Sequence, residues 1–126
     1  MQNKLLIIAS VLGLLSVAMG AFGAHALKGL LDADALMSYE TGVRYMMYHA
    51  LAVLFINGSK VFDEKPANTI SYFFLAGIAF FSGSIFAISV GAVEAKSIWF
   101  ITPLGGLMLI VGWLLIIFSL LKKNRK

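Results

Sequence analysis

The chain has 126 residues, 60% of them hydrophobic and 13% charged, with a net charge of +4 and no cysteine. Soluble domains carry roughly 45–50% apolar and about 25% charged residues, so a soluble globular fold is excluded. Disorder needs low hydrophobicity and is excluded with it. Without cysteine there is no disulfide, thiolate metal site or cysteine nucleophile.

A helix needs about 20 mostly apolar residues to cross roughly 30 Å of hydrocarbon. Four segments meet that description, at about 5–24, 39–58, 70–93 and 98–121. They are continuously apolar and lack the alternation of a membrane barrel. The expected fold is therefore all-α: one integral-membrane, antiparallel four-helix bundle occupying residues 1–126.

The first segment, Leu5 to Ala24, carries no charge. Ala24-His25-Ala26 has the form of a signal-peptide cleavage site, but the apolar run exceeds the usual 7–15 residues. The segment is expected to be retained. Asp32 is suited to cap the second helix, and Asn57-Gly58 to stop it. Ser59 to Asn68, with Pro66 and four charges, reads as a plain connector. A third loop of about five residues would make the last two helices a tight hairpin. Thr102-Pro103 resembles an N-cap followed by proline at the first helical position, with Trp99 and Phe100 as an interfacial anchor.

Lysine and arginine set the orientation. With four spans, Lys4, Lys60, Lys65, Lys122, Lys123, Arg125 and Lys126 share one side, while Lys28, Arg44 and Lys96 share the other. Seven against three places both termini in the cytoplasm. The basic tail then faces anionic lipid headgroups and gives no reason to invoke nucleic acid.

Small residues recur at close-packing intervals: Ser16, Gly20 and Ala24; Ala79, Gly83, Ala87 and Gly91; and Gly105 with Gly112. Such ridges let helix backbones approach closely in lipid. Gly20, Ala79, Gly83, Ala87, Gly105 and Gly112 are expected at helix contacts, within the bundle or between copies.

Polar residues inside a membrane are costly and mark candidate sites. On the second helix, at about 100° per residue, Arg44, Tyr48, Thr41, Ala52, Tyr45 and His49 fall within an arc of about 140°. Val43, Met46, Met47, Ala50, Leu51, Val53 and Leu54 occupy the opposite arc. The polar face is expected to turn inward and the apolar face toward lipid. His25 ends the first segment near the same membrane level. The site expected is His25, Arg44, Tyr45, Tyr48 and His49, with Glu40 nearby.

Three roles compete for it. Arg44 can snorkel, with the tyrosines as an aromatic belt and the histidines as packing residues. The group can instead hold an anionic lipid headgroup or small anion. Or the histidines can relay protons or bind a metal. Two histidines without cysteine or a close carboxylate fall short of a normal ligand set. Neither metal nor cofactor is expected.

Several stretches resemble a known family. They are Gly20-Ala-Phe-Gly-Ala-His-Ala-Leu27, Thr41-Gly-Val-Arg-Tyr-Met-Met-Tyr-His-Ala-Leu51, Phe81-Ser-Gly-Ser-Ile85, and Ile101-Thr-Pro-Leu-Gly-Gly106 with Gly112-Trp113. In order and spacing they resemble the domain-of-unknown-function 423 family of small bacterial inner-membrane proteins, related to animal transmembrane protein 256. Met46 departs from the family's glutamine and Gly42 from its alanine. The resemblance implies a four-span membrane protein and assigns no catalytic role to any motif residue.

No nucleophile–base–acid set, phosphate loop or carboxylate pair lies within the spans. The expected function is non-enzymatic support of membrane integrity, through lipid or a partner membrane protein, with a homo-oligomer among the options. The alternative is an oligomeric channel or carrier for protons, small ions or solutes.

Overall fold

The computed structural model describes residues 2–125. Lys126, counted above among the cytoplasmic charges, lies outside the described residues. Four α-helices follow one another: α1 (Gln2–Phe22), α2 (Ala33–Gly58), α3 (Glu64–Ser89) and α4 (Ile101–Asn124). A π-helical turn, Gly23–Leu27, continues α1, and a 3₁₀ turn, Ala95–Ser97, precedes α4. Among the described residues there is no strand. The fold is all-α.

Three stretches are long and apolar enough to cross a membrane: Asn3–Leu27, Glu64–Ser89 and Ile101–Asn124. The 26 residues of α2 rise about 39 Å, enough to cross, at 1.5 Å per residue. Its charged and aromatic residues make it the least apolar of the four.

The helices pack in series, α1 on α2, α2 on α3 and α3 on α4, with no pairing of similar extent between α1 and α4. Leu6 lies beside Gly58 and Met19 beside Tyr39. Asn57 meets Ser71, and Gly42 meets Ser82. Phe74 meets Trp113, and Ser84 meets Thr102. Leu6–Gly58 and Gly42–Ser82 join an early part of one helix to a late part of the next, and Met19–Tyr39, Asn57–Ser71 and Ser84–Thr102 join a late part to an early one.

The core follows from this order. Leu5 and Ala9 of α1, Met46, Val53 and Ile56 of α2, Ile70, Phe74 and Ile78 of α3, and Leu109 of α4 form one buried cluster. Outward-facing Leu14, Val17, Leu107, Ile117 and Phe118 are more than half exposed. Leaving such side chains in water forfeits roughly 25 cal/mol per Å² of burial, so their natural solvent is lipid.

Helix ends match the local chemistry in part. The Asp32 carboxylate accepts the Ala35 N–H at 2.8 Å, capping α2. Gly58 is the last residue of α2. The connection between α3 and α4 is longer than the hairpin expected from sequence and covers 90–100. Gly91, at φ 79°, turns the chain out of α3 in a left-handed conformation that glycine adopts without penalty. Thr102 is not a cap: α4 begins one residue earlier, after Phe100, and the Thr102 hydroxyl pairs instead with Ser84. Pro103 still fits, because the first N–H groups of a helix have no helical acceptor.

The closest helix contact is between α3 and α4. A Cβ at Gly105 would collide with the backbone of Phe80 and Phe81, and one at Gly112 with the Phe74 ring. A Cβ at Gly77 would stand 2.5 Å from Leu109 Cδ2. Gly20 makes an ordinary approach to α2, its Cβ position 3.5 Å from Val43 Cγ1. The expected ridge on α3 is corrected. Ala79 and Gly83 are exposed, Ala87 is only half-buried, and nothing lies within 4 Å of a Cβ placed at Gly83. Gly77 and Phe81 occupy the contact instead, because that face carries both the glycine and the residues that meet Gly105.

Candidate functional site

α2 lies between α1 and α3, so two helices compete for its surface. They take the face bearing Gly42, Met46, Ala50 and Val53, all buried. The polar face expected to turn inward is therefore turned outward: Arg44, Tyr45 and Tyr48 are exposed. The physical reason is packing. Small and flexible side chains (Gly42, Ala50, Met46) admit two neighbouring helices, whereas tyrosine hydroxyls and a guanidinium are better placed at a polar boundary.

The exposed group retains local order. The Tyr45 and Tyr48 rings lie 5.9 Å apart, and Tyr45 also stacks obliquely on Phe81 of α3 at 4.9 Å. Arg44 donates to the Thr41 hydroxyl at 3.2 Å, and Thr41 donates to the Met37 carbonyl. Glu40 is exposed on the same helix. His25 is exposed in the π turn.

His49 is the exception. It is 4% exposed and its ring packs edge-on to Phe74 and Trp113. Nδ1 lies 2.7 Å from the Tyr45 carbonyl, and Nε2 lies 3.0 Å from the Trp113 indole nitrogen. A carbonyl can only accept and an indole N–H can only donate, so this pattern assigns the neutral Nδ1–H tautomer. Both ring nitrogens are engaged. His49 faces α3 and α4 rather than the first helix, and it is not brought into one pocket with His25.

Several other buried polar groups pair between helices. The Tyr39 hydroxyl donates to the Met19 carbonyl at 2.8 Å, one turn before the π segment, and its ring fills the space above Gly23. Ser82 donates to the Gly42 carbonyl at 2.8 Å. Asn57 donates to Ser71 at 2.7 Å, and Ser71 to the Ala67 carbonyl. Ser84 and Thr102 share a hydrogen bond between α3 and α4. Every helix thus has a polar tie to its neighbour. Among the described residues, no three histidine, aspartate or glutamate side chains gather as a metal site.

Sequence reasoning missed Tyr39, Asn57, Ser71, Ser82, Ser84 and Trp113 as polar joints. The available signal was serine within the apolar run of α3. A hydroxyl at membrane depth faces protein rather than lipid, which marks the contact side of that helix.

The comparisons with known proteins find relatives that are membrane proteins. The family described as "Protein of unknown function (DUF423)" matches residues 19–106, from the last turn of α1 to the Gly105-Gly106 pair. The UPF0382 membrane protein of Haemophilus influenzae is 39% identical over 126 residues, covering 98% of each chain. The UPF0382 membrane protein YwdK of Bacillus subtilis is 36% identical, over 93% of this chain and 95% of that one. The UPF0382 inner membrane protein YgdD of Escherichia coli is 34% identical, over 97% and 92%. No solved structure matches the chain. With a family match over most of its length and relatives this similar end to end, the chain belongs to the DUF423 family of UPF0382 membrane proteins.

Proposed function

We propose that the protein is a non-enzymatic, multi-pass component of the bacterial inner membrane that supports membrane integrity through contact with lipid or a partner membrane protein. In this reading all four helices cross antiparallel and both termini are cytoplasmic. The observation that supports it is the use made of the buried polar groups. His49, Tyr39, Ser82 and the Ser84–Thr102 pair each spend their hydrogen bonds on another helix or on their own backbone. Groups so engaged stiffen a bundle, whereas a reactive group needs a free lone pair or a mobile proton.

Arg44, exposed on the side of α2 and about 7.5 Å outward of His49 along the helix, suits a guanidinium that snorkels to the outer headgroup layer, where a cation can meet phosphate. The test is a strain lacking the protein, challenged by osmotic shock, with uptake of a membrane-impermeant dye as readout. Uptake above the parent, reversed by restoring the chain, is expected. Unchanged uptake would remove the support for this role.

A further inference from the structure

α2 and α4 both lie on α3 but have no extended contact of their own, so a cleft opens between them. His49 and Trp113 bridge it midway along α4. Below the bridge, a cavity of about 320 Å³ is walled by Tyr48, Ala52, Phe55, Trp113, Ile116 and Phe62. Phe62 is also a wall of a second cavity, of about 360 Å³. Leu115 and Phe118 line the second cavity's apolar part, and Lys122, Lys123 and Asp63 its charged part. Along α4, the rise from Trp113 to Lys123 is about 15 Å, the depth of one leaflet in a hydrocarbon layer about 30 Å thick.

We propose that this cleft binds one anionic glycerophospholipid, with its phosphate at Lys122 and Lys123 and an acyl chain lying along Phe118, Phe62 and Trp113. The proposal rests on the reading that the chain works through lipid, and it places a site at the opposite end of the bundle from Arg44. Charge selects the headgroup. Lys123 donates to the Val61 carbonyl at 2.6 Å, fastening the α2–α3 connection to the end of α4. An ammonium has three N–H donors, so two remain for a ligand. Two ammonium groups against the single Asp63 carboxylate leave the cavity end cationic. Basic pockets between membrane helices, open to the headgroup layer, are suited to anionic lipid.

Trp113 provides the readout. In a Trp99→Phe chain it is the remaining tryptophan, and Trp99 is 72% exposed and so can be replaced with little effect on the fold. The chain is reconstituted in phosphatidylcholine vesicles containing a minor fraction of brominated phosphatidylglycerol or, separately, brominated phosphatidylcholine. Quenching of Trp113 is expected to show preference for the phosphatidylglycerol, about fivefold for each lysine engaged. Lys122→Gln with Lys123→Gln should abolish that preference, while Lys60→Gln with Lys65→Gln, outside the cleft, should retain it. Equal quenching by both lipids would overturn the proposal. So would equal loss in both double variants, which would mean attraction to diffuse surface charge. Either failure would leave the membrane-support reading standing, since that reading is tested by dye uptake in cells.

Discussion

The Trp113 indole N–H donates to His49 Nε2 across 3.0 Å, tying α4 to α2 over the flank of α3. The other ring nitrogen is held by the Tyr45 carbonyl one turn back. Phe74 packs against both rings, at 5.1 Å from His49 and 5.3 Å from Trp113. This histidine is therefore fixed by three helices at once. Its chemistry is that of a joint.

Gly105 and Gly83 make opposite expectations about helix contact. Gly105→Val would push α4 away from the Phe80–Phe81 backbone, and should lower the unfolding free energy in detergent by roughly 1–3 kcal/mol or more. Gly83→Leu points into open space and should change it by less than about 0.5 kcal/mol. Denaturant titration followed by circular dichroism measures both. Similar losses in the two variants would contradict the packing described.

Tyr39→Phe removes the hydroxyl that reaches the Met19 carbonyl while keeping the ring over Gly23. Interhelical hydrogen bonds in membrane proteins average about 0.6 kcal/mol and reach about 1.7, and a loss in that range is expected. Tyr39→Ala should cost more, since it also empties the space against Gly23 and Phe86. Thermal denaturation of the two variants side by side separates the hydrogen bond from the ring.

Topology is checked by reporter fusions in the α2–α3 connection at Asp63, after residue 126, and in the α3–α4 connection at Lys96. Cytoplasmic signals at the first two and an exterior signal at the third are expected, following the lysine and arginine asymmetry. The Asp63 fusion is the most informative, because it asks whether α2, the least apolar helix, crosses. An exterior signal there would remove one span.

Proteoliposomes holding a pH gradient test the channel or carrier alternative. With both His49 nitrogens engaged, the gradient should decay no faster than in protein-free vesicles, and His49→Ala should change nothing. Rapid decay that His49→Ala suppresses would favour transport.

Much of the fold was legible in the sequence because lipid imposes one dominant rule, and the uncharged runs of α1, α3 and α4 obey it. The Asp32 cap and the stop at Gly58 were legible because their chemistry is local. The facing of α2 was not. The polar arc is expected inward on the premise that polar groups avoid lipid, but Arg44 can avoid lipid equally well by snorkelling to the headgroup layer, and Tyr48 lines the cavity beside Trp113. What decides the facing is the fit of Gly42, Met46 and Ala50 between two neighbours, a property of three helices together. Gly83 misled for the same reason, since a small-residue ridge shows that a close approach is permitted but not which helix makes it.

A double-mutant cycle on His49 and Trp113 tests most directly whether buried polar groups serve as joints between helices. Unfolding free energies in mixed micelles would be measured for the wild-type chain, His49→Phe, Trp113→Phe and the double variant. A favourable coupling of about 0.6–1.7 kcal/mol is expected, the range of interhelical hydrogen bonds in a bilayer protein. Additive losses, with no coupling between the two positions, would contradict it.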